Sequence, residues 1–153
     1  MKRILYLSFY FKPDLCAGSF RNSSLIKQLV KQTDDNTEML LITTMPNRYS
    51  NYTQPAKSYE KYLNLKIVRI NIPNHNNNFL DQIFSFSKYF YEVKKMTRKY
   101  NFDLVFASSS RLFTAYLGSH IAKINNSFLY LDIRDIFVDT LKDLLKNNFF
   151  KFF

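Results

Sequence analysis

Tryptophan is absent from these 153 residues, cysteine occurs once, glycine twice and proline four times. A lone Cys16 excludes a disulfide scaffold and a cysteine-ligated zinc site. With Gly18 and Gly118 so far apart, no short window holds the glycines of a GxGxxG dinucleotide loop or a Walker A loop. Acidic residues are few as well: 12 Asp plus Glu stand against 22 Lys plus Arg, a formal net charge of +10. Long apolar runs are also missing, since none reaches the ~18 residues that a membrane-crossing helix needs. The expected location is therefore the cytoplasm or the inner face of a membrane. His75 and His120 have no ligand spacing around them, so no metal is expected.

What is abundant is apolar and aromatic. Hydrophobic residues make up 46% of the chain, with sixteen Phe and eleven Tyr, a globular composition far from that of disordered chains. The length fits one domain. The positive charge suits an acidic partner such as nucleic acid, anionic lipid or a phosphorylated substrate. Compositional drift toward Lys, Asn, Phe, Tyr and Ile explains the same excess without a partner.

Ile4 to Phe11 is a nearly continuous apolar run, as in a strand covered on both faces. Lys12-Pro13-Asp14 follows where a leader peptide would need small residues before its cleavage site, so the run reads as a first strand. From Ser19 the apolar residues Phe20, Leu25, Ile26, Leu29 and Val30 recur at helical spacing. Met39–Thr44 is a second buried strand, and the alternating stretch Leu65–Ile72 reads as a half-exposed edge strand. The polar segment between them, Asn47 to Lys61, reads as a long loop. A helix is expected over Phe79–Lys99, a strand over Asp103–Ala107, a helix over Leu112–Ile124 and a buried strand over Phe128–Ile133. Thr140–Phe153 has the pattern of a helix that is cut off. This order predicts an α/β domain spanning 1–153, with an open, mostly parallel Rossmann-like sheet and helices on both faces. In such sheets ligands bind beyond the carboxyl ends of the strands, near the point where the strand order switches.

The loops at that end carry the candidate residues. Gly18 and Ser19 open a helix whose free N–H groups suit a phosphate, with Arg21 one step further in; an ordinary tight turn is the competing reading. Ser108-Ser109-Ser110 is a second small polar loop before a helix. Arg134-Asp135 leaves a strand end, where charges are costly to desolvate and need a partner or a task. A structural ion pair is the alternative there. His120 reads as a packing histidine, and His75 as a residue that could meet a substrate. The Phe79–Lys99 segment sets five cations against two acids beside a broad aromatic face. That is how a helix lies in a membrane interface, with Phe86, Lys88, Phe90, Lys94, Lys95 and Arg98 as expected contacts.

Three stretches together carry a resemblance. Ile4–Tyr10 with Phe11-Lys12-Pro13-Asp14, Ala17-Gly18-Ser19 and Arg21 is similar to the opening of family 4 glycosyltransferases of the GT-B fold. Asp103–Ser110 with Leu112-Phe113, and Leu131–Asp139, resemble two further blocks of the bacterial surface-polysaccharide members. The resemblance implies the amino-terminal, acceptor-side half of a two-domain enzyme whose donor-binding domain is not in this sequence. It implies a retaining reaction with no cofactor or metal. Its expected partners are a nucleotide-sugar donor, with UDP-N-acetylhexosamine as the first expectation, and a polyprenyl-pyrophosphate-linked sugar acceptor of O-antigen or capsule synthesis. Such an enzyme would sit peripherally on an anionic membrane surface. Gly18, Ser19 and Arg21 would approach the donor diphosphate, and Asn47, His75, Ser109 and Ser110 the acceptor. Arg134 and Asp135 would be catalytic. Many relatives have His at the position of Arg134, and Arg cannot trade a proton near neutral pH, which leaves Asp135 as the nominated carboxylate. The alternative is a basic Rossmann-like module that binds nucleic acid or anionic lipid without catalysis. No basic cluster is interleaved with a groove-reading helix or RNP-type strand, so nucleic acid is not the expected partner.

Overall fold

The computed structural model describes residues 1–34, 36–48, 54–73, 79–109 and 112–134. Along the chain run β1 (Lys2–Leu7), α1 (Ala17–Gln32), β2 (Thr37–Thr44), β3 (Tyr59–Tyr62), β4 (Leu65–Ile70), α2 (Phe79–Thr97), β5 (Leu104–Ser108), α3 (Leu112–Asn125) and β6 (Phe128–Asp132). The strands form one sheet in the order β3-β4-β2-β1-β5-β6. Every neighbouring pair is parallel except β3 with β4. The expected mostly parallel Rossmann-like sheet is what the chain forms.

The apolar run of β1 is explained by two cores, one on each side of the sheet. Leu5 and Leu7 point to the side of α2 and α3, where they meet Tyr89, Val93, Leu117 and Ile121. Tyr6 points to the other side, where Met39, Leu41 and Ile67 pack under Ile26 and Val30 of α1. A strand with both faces covered cannot alternate apolar with polar residues. Burying Ile26 and Val30 contributes about 1.5–3 kcal/mol each, and their spacing of four places both on one face of α1. The strand itself ends at Leu7; Ser8 to Phe11 leave the sheet yet remain buried.

Two expectations about the sheet edges are overturned. Leu65–Ile72 was expected to be an edge, but β4 lies between β2 and β3. Its neighbour β3 falls inside the stretch read as a loop, because Tyr-Glu-Lys-Tyr is too short and too polar to show an apolar pattern. The charges of β4 are absorbed by partners: Lys66 pairs with Glu38, and the buried Arg69 with Glu60. Phe128–Ile133 was expected to be buried, but β6 is the other edge. Among the described residues nothing covers Phe128 or Tyr130, which are 81% and 57% exposed. The Tyr130 ring stacks on Phe106 at 5.0 Å, and Phe106 stacks on Tyr6 at 4.4 Å, a ladder of rings across three parallel strands.

On the opposite face α3 lies close to β5 because Gly118 gives the backbone room. A Cβ added at Gly118 would come 2.6 Å from the Cβ of Ala107, closer than packed carbons approach. Gly118→Ala is expected to destabilise the fold by about 1–3 kcal/mol, read as a lower denaturation midpoint. Ala107→Gly in the same chain should return part of the loss. An unchanged midpoint for Gly118→Ala would contradict this seating of α3.

Candidate functional site

The strand order runs outward from β1 in one direction to β2 and from β5 in the other to β6, so the switch point lies between β1 and β5. The loops that meet there are Ser8–Cys16 after β1, Ser108–Ser109 after β5, and Asp132–Arg134 after β6. The amino terminus of α1 stands beside them.

α1 is held to β1 by a buried polar chain. The Tyr6 hydroxyl donates to Oδ1 of Asn22 at 2.8 Å, Nδ2 of Asn22 donates to Oγ of Ser8 at 2.7 Å, and Ser8 Oγ donates to the Tyr10 carbonyl at 2.7 Å. Burial is the main cause that raises the Tyr6 phenol well above its ordinary pKa, and the nearby Asp132 carboxylate raises it further. Tyr6 is thus a fixed hydrogen-bond donor. It is no candidate for a base.

The amino terminus of α1 has the character expected for the Gly18 loop. Cys16 occupies the N-cap position without a side-chain cap, and no acidic residue lies in the first turn. The first turn therefore leaves backbone N–H groups and the positive end of the helix dipole available to an anion. Gly18 and Ser19 are both buried there, and Ser19 Oγ is fully buried without a hydrogen-bond partner among the described residues. A buried orphan hydroxyl beside free N–H groups fits a site that is completed by a ligand.

Arg21 does not reach out alone. Its Nε and Nη2 donate to Asp132 Oδ2 at 3.3 Å and Oδ1 at 2.8 Å, a two-pronged bond between α1 and the end of β6. The bond to Asp132 raises the pKa of Arg21, so its charge is permanent. Asp132 also accepts from Ser108 Oγ at 3.2 Å. Its backbone carbonyl accepts from Ser109 Oγ and Ser109 N–H, each at 3.0 Å. Ser109 Oγ in turn accepts the Arg134 N–H at 3.3 Å. Arg21, Ser109 and Arg134 are brought together, with Asp132 at their centre.

Asp132 is the residue that the sequence reading passed over in favour of Arg134-Asp135. The usable signal was a carboxylate at the carboxyl end of an apolar strand facing a serine-rich loop. Asp135, Ser110 and His75 lie outside the described residues. Asn47 sits on the other side of the β1 exit, and its side chain is turned into its own loop. Its Nδ2 donates to Thr44 Oγ1 at 2.6 Å and to the Met45 carbonyl at 2.7 Å. Its backbone N–H, with that of Arg48, donates to Oδ1 of the buried Asp14. Desolvation raises the pKa of Asp14 despite these two bonds. His120, as expected, packs among rings, beside Phe90 and Tyr116.

No family model matches the chain, and no curated protein matches it by sequence. Several solved structures share its fold, among them the following two. A sucrose-phosphate synthase from Thermosynechococcus elongatus, a GT-B glycosyltransferase, superposes with a TM-score of 0.55 at 11% identity over 85% of this chain. The match spans 31% of that synthase, so this chain corresponds to about a third of it. The C-terminal domain of a hydrogenase from Pyrococcus furiosus superposes with a TM-score of 0.53 at 11% identity, over 86% of this chain and 91% of that domain. The fold is therefore the Rossmann-like one found in a GT-B glycosyltransferase, and activity has to be argued from the site.

Two outcomes are expected. Asp132→Ala should cost about 1–2 kcal/mol, because Arg21 and Ser108 both lose their acceptor, whereas Arg21→Ala, at an exposed guanidinium, should cost less. Denaturant titration of the two variants would check this order, and a reversed order would contradict the central place of Asp132. Because the folded state raises the Asp14 pKa, its contribution to stability is full below the ordinary carboxylate value and is lost as pH rises through the raised one. Asp14→Asn should remove that part of the slope between wild type and variant across mildly acidic pH.

Proposed function

We propose that this chain is the acceptor-side half of a retaining glycosyltransferase of family 4. It would act with a donor-binding domain to move a sugar from a nucleotide sugar, with UDP-N-acetylhexosamine the first candidate, onto a polyprenyl-pyrophosphate-linked acceptor of surface-polysaccharide synthesis. The observation that carries the reading is the convergence at the switch point. The uncapped start of α1, with Gly18 and Ser19, faces the Ser108–Ser109 loop and the Asp132–Arg134 strand end. The likeness of fold to a sucrose-phosphate synthase agrees with this reading, although the hydrogenase domain shares the same fold.

In this reading the α1 N-terminus stabilises negative charge on the leaving diphosphate, and Arg21, anchored by Asp132, adds a fixed positive charge beside it. Asp135 is proposed to meet the reacting acceptor, and Arg134 to hold charge rather than carry a proton. Ser109, Ser110, His75 and Asn47 are the proposed acceptor contacts. The Asn47 side chain would have to give up its loop bonds for that role, which makes it the weakest of the four. The chemistry proposed is front-side attack by the acceptor oxygen, driven by placement and charge stabilisation, without a metal.

The surface of α2 supports a peripheral membrane site. Phe84, Lys88, Tyr91 and Lys95 are all exposed and recur every three or four residues, so they share one stripe of the helix, and the exposed Arg98 follows directly after its end. Phe84 and Tyr91 were missing from the expected contacts. Phe86 and Phe90 are half-buried and line an apolar groove of about 710 Å³ with Phe113 and Tyr116 of α3. Lys94 lies over the Phe90 ring at 5.5 Å. Aromatic rings set among cations suit the headgroup level of an anionic bilayer. No helix among the described residues is long and apolar enough to cross a membrane.

Co-sedimentation with anionic liposomes, with and without a sugar-pyrophosphoryl polyprenol and across a salt series, tests the acceptor reading. Binding that increases with the lipid-linked sugar and persists at moderate salt is expected. Binding indifferent to the sugar, or collapsing steeply with salt and transferring to nucleic acid, would favour the non-catalytic basic module. When the donor domain is present, Asp135→Asn should abolish transfer, and this chain by itself should transfer nothing.

A further inference from the structure

A second groove opens on the opposite side of the β1 exit from the site above. It has a volume of about 660 Å³, and its walls include Lys12, Lys57, Tyr59, Glu60, Lys61 and Arg69. Three parts of the chain therefore supply it: the segment after β1, the run into β3 with β3 itself, and the end of β4.

Arg69 holds these walls together. Its side chain is only 4% exposed, and a buried guanidinium must find acceptors. Nη2 donates to the Lys12 carbonyl at 2.8 Å and Nη1 donates to the Lys57 carbonyl at 2.9 Å, while Nη1 also pairs with Glu60. Nε is buried and has no partner among the described residues. Glu60, the one acid on the groove wall among the described residues, is thus already matched by Arg69.

Lys12, Lys57 and Lys61 are left over. All three are exposed, and among the described residues none has an ion-pair partner. By contrast, Lys66 on the neighbouring strand is paired with Glu38. Three lysines without an acidic partner line one concavity, and a multiply charged anion matches them better than a single carboxylate would. The half-exposed Tyr59 ring on the same wall offers a flat surface to whatever carries the anion.

We propose that this groove binds a phosphate or pyrophosphate ester, with Lys12, Lys57 and Lys61 as its charged contacts and Arg69 as the positioning residue that sets their backbone. The site is separate from the α1 amino terminus and does not rest on the glycosyltransferase reading. The same chemistry is offered by a soluble phosphate ester and by a phospholipid headgroup.

The test is a titration of this chain with inorganic pyrophosphate, followed by amide NMR shifts, for the wild type and for Lys57→Gln/Lys61→Gln. Both substituted residues are exposed, so the variant should fold with an unchanged denaturation midpoint. The expected result is saturable binding with shifts at Lys12, Tyr59 and Arg69, weakened about tenfold or more in the variant through loss of two charge-assisted contacts. Sedimentation with phosphatidylglycerol vesicles separates the sources. A similar loss of vesicle binding in the variant assigns a lipid headgroup, and vesicle binding that the variant leaves unchanged assigns a soluble ester. Pyrophosphate shifts confined to Gly18–Arg21, or affinity for pyrophosphate and vesicles alike unmoved by the substitutions, would overturn the proposal.

Discussion

The hydrogen bond from the buried Tyr6 hydroxyl to Asn22 fixes where α1 stands on the sheet, and the functional edge depends on it. A polar chain running from Tyr6 through Asn22 and Ser8 to the Tyr10 carbonyl sits between a helix and a strand that are otherwise joined by apolar contact. Apolar packing alone tolerates sliding, whereas buried donors and acceptors must meet their partners or lose the full cost of desolvation. Each group in this chain has one. The amino terminus of α1 is thereby set beside the ends of β5 and β6, close enough for Arg21 to fork onto Asp132.

The carboxyl edge of the sheet concentrates positive charge on both sides of the β1 exit. On one side are the α1 dipole, Arg21 and Arg134; on the other are Arg69 and Lys12, with Lys57 before and Lys61 within the antiparallel edge strand β3. The acids nearby are largely committed: Asp132 to Arg21 and Ser108, Glu60 to Arg69, and Asp14 to the N–H groups of Asn47 and Arg48. Basic side chains thus border both candidate sites, and others lie on the exposed stripe of α2.

Much of this architecture was legible in the residues because a two-sided sheet leaves a strong signature. The unbroken apolar runs of β1 and β5 have no polar face to interrupt them, and Ile26 with Val30 keep helical spacing. What escaped the reading was carried by polar residues whose partners are distant in sequence. β3 is four residues with exposed tyrosines, and only its pairing with β4 makes it a strand. Arg69 looked like the exposed position of an edge strand, yet it is buried because acceptors arrive from Lys12 and Lys57. At the site, the position of the Gly18-Ser19 turn was readable from local composition. The importance of Asp132 was not, since its bond to Arg21 spans 111 residues.

The central claim is that the switch-point edge serves retaining sugar transfer, and the direct measurement is product stereochemistry. The chain, joined to a donor-binding domain, would be incubated with labelled UDP-N-acetylhexosamine and a polyprenyl-pyrophosphate-linked sugar, and the anomeric configuration of the new linkage read by NMR. A product that keeps the configuration of the donor is the predicted result. An inverted product, or no transfer from any nucleotide sugar while the protein still binds the lipid-linked acceptor, would contradict it.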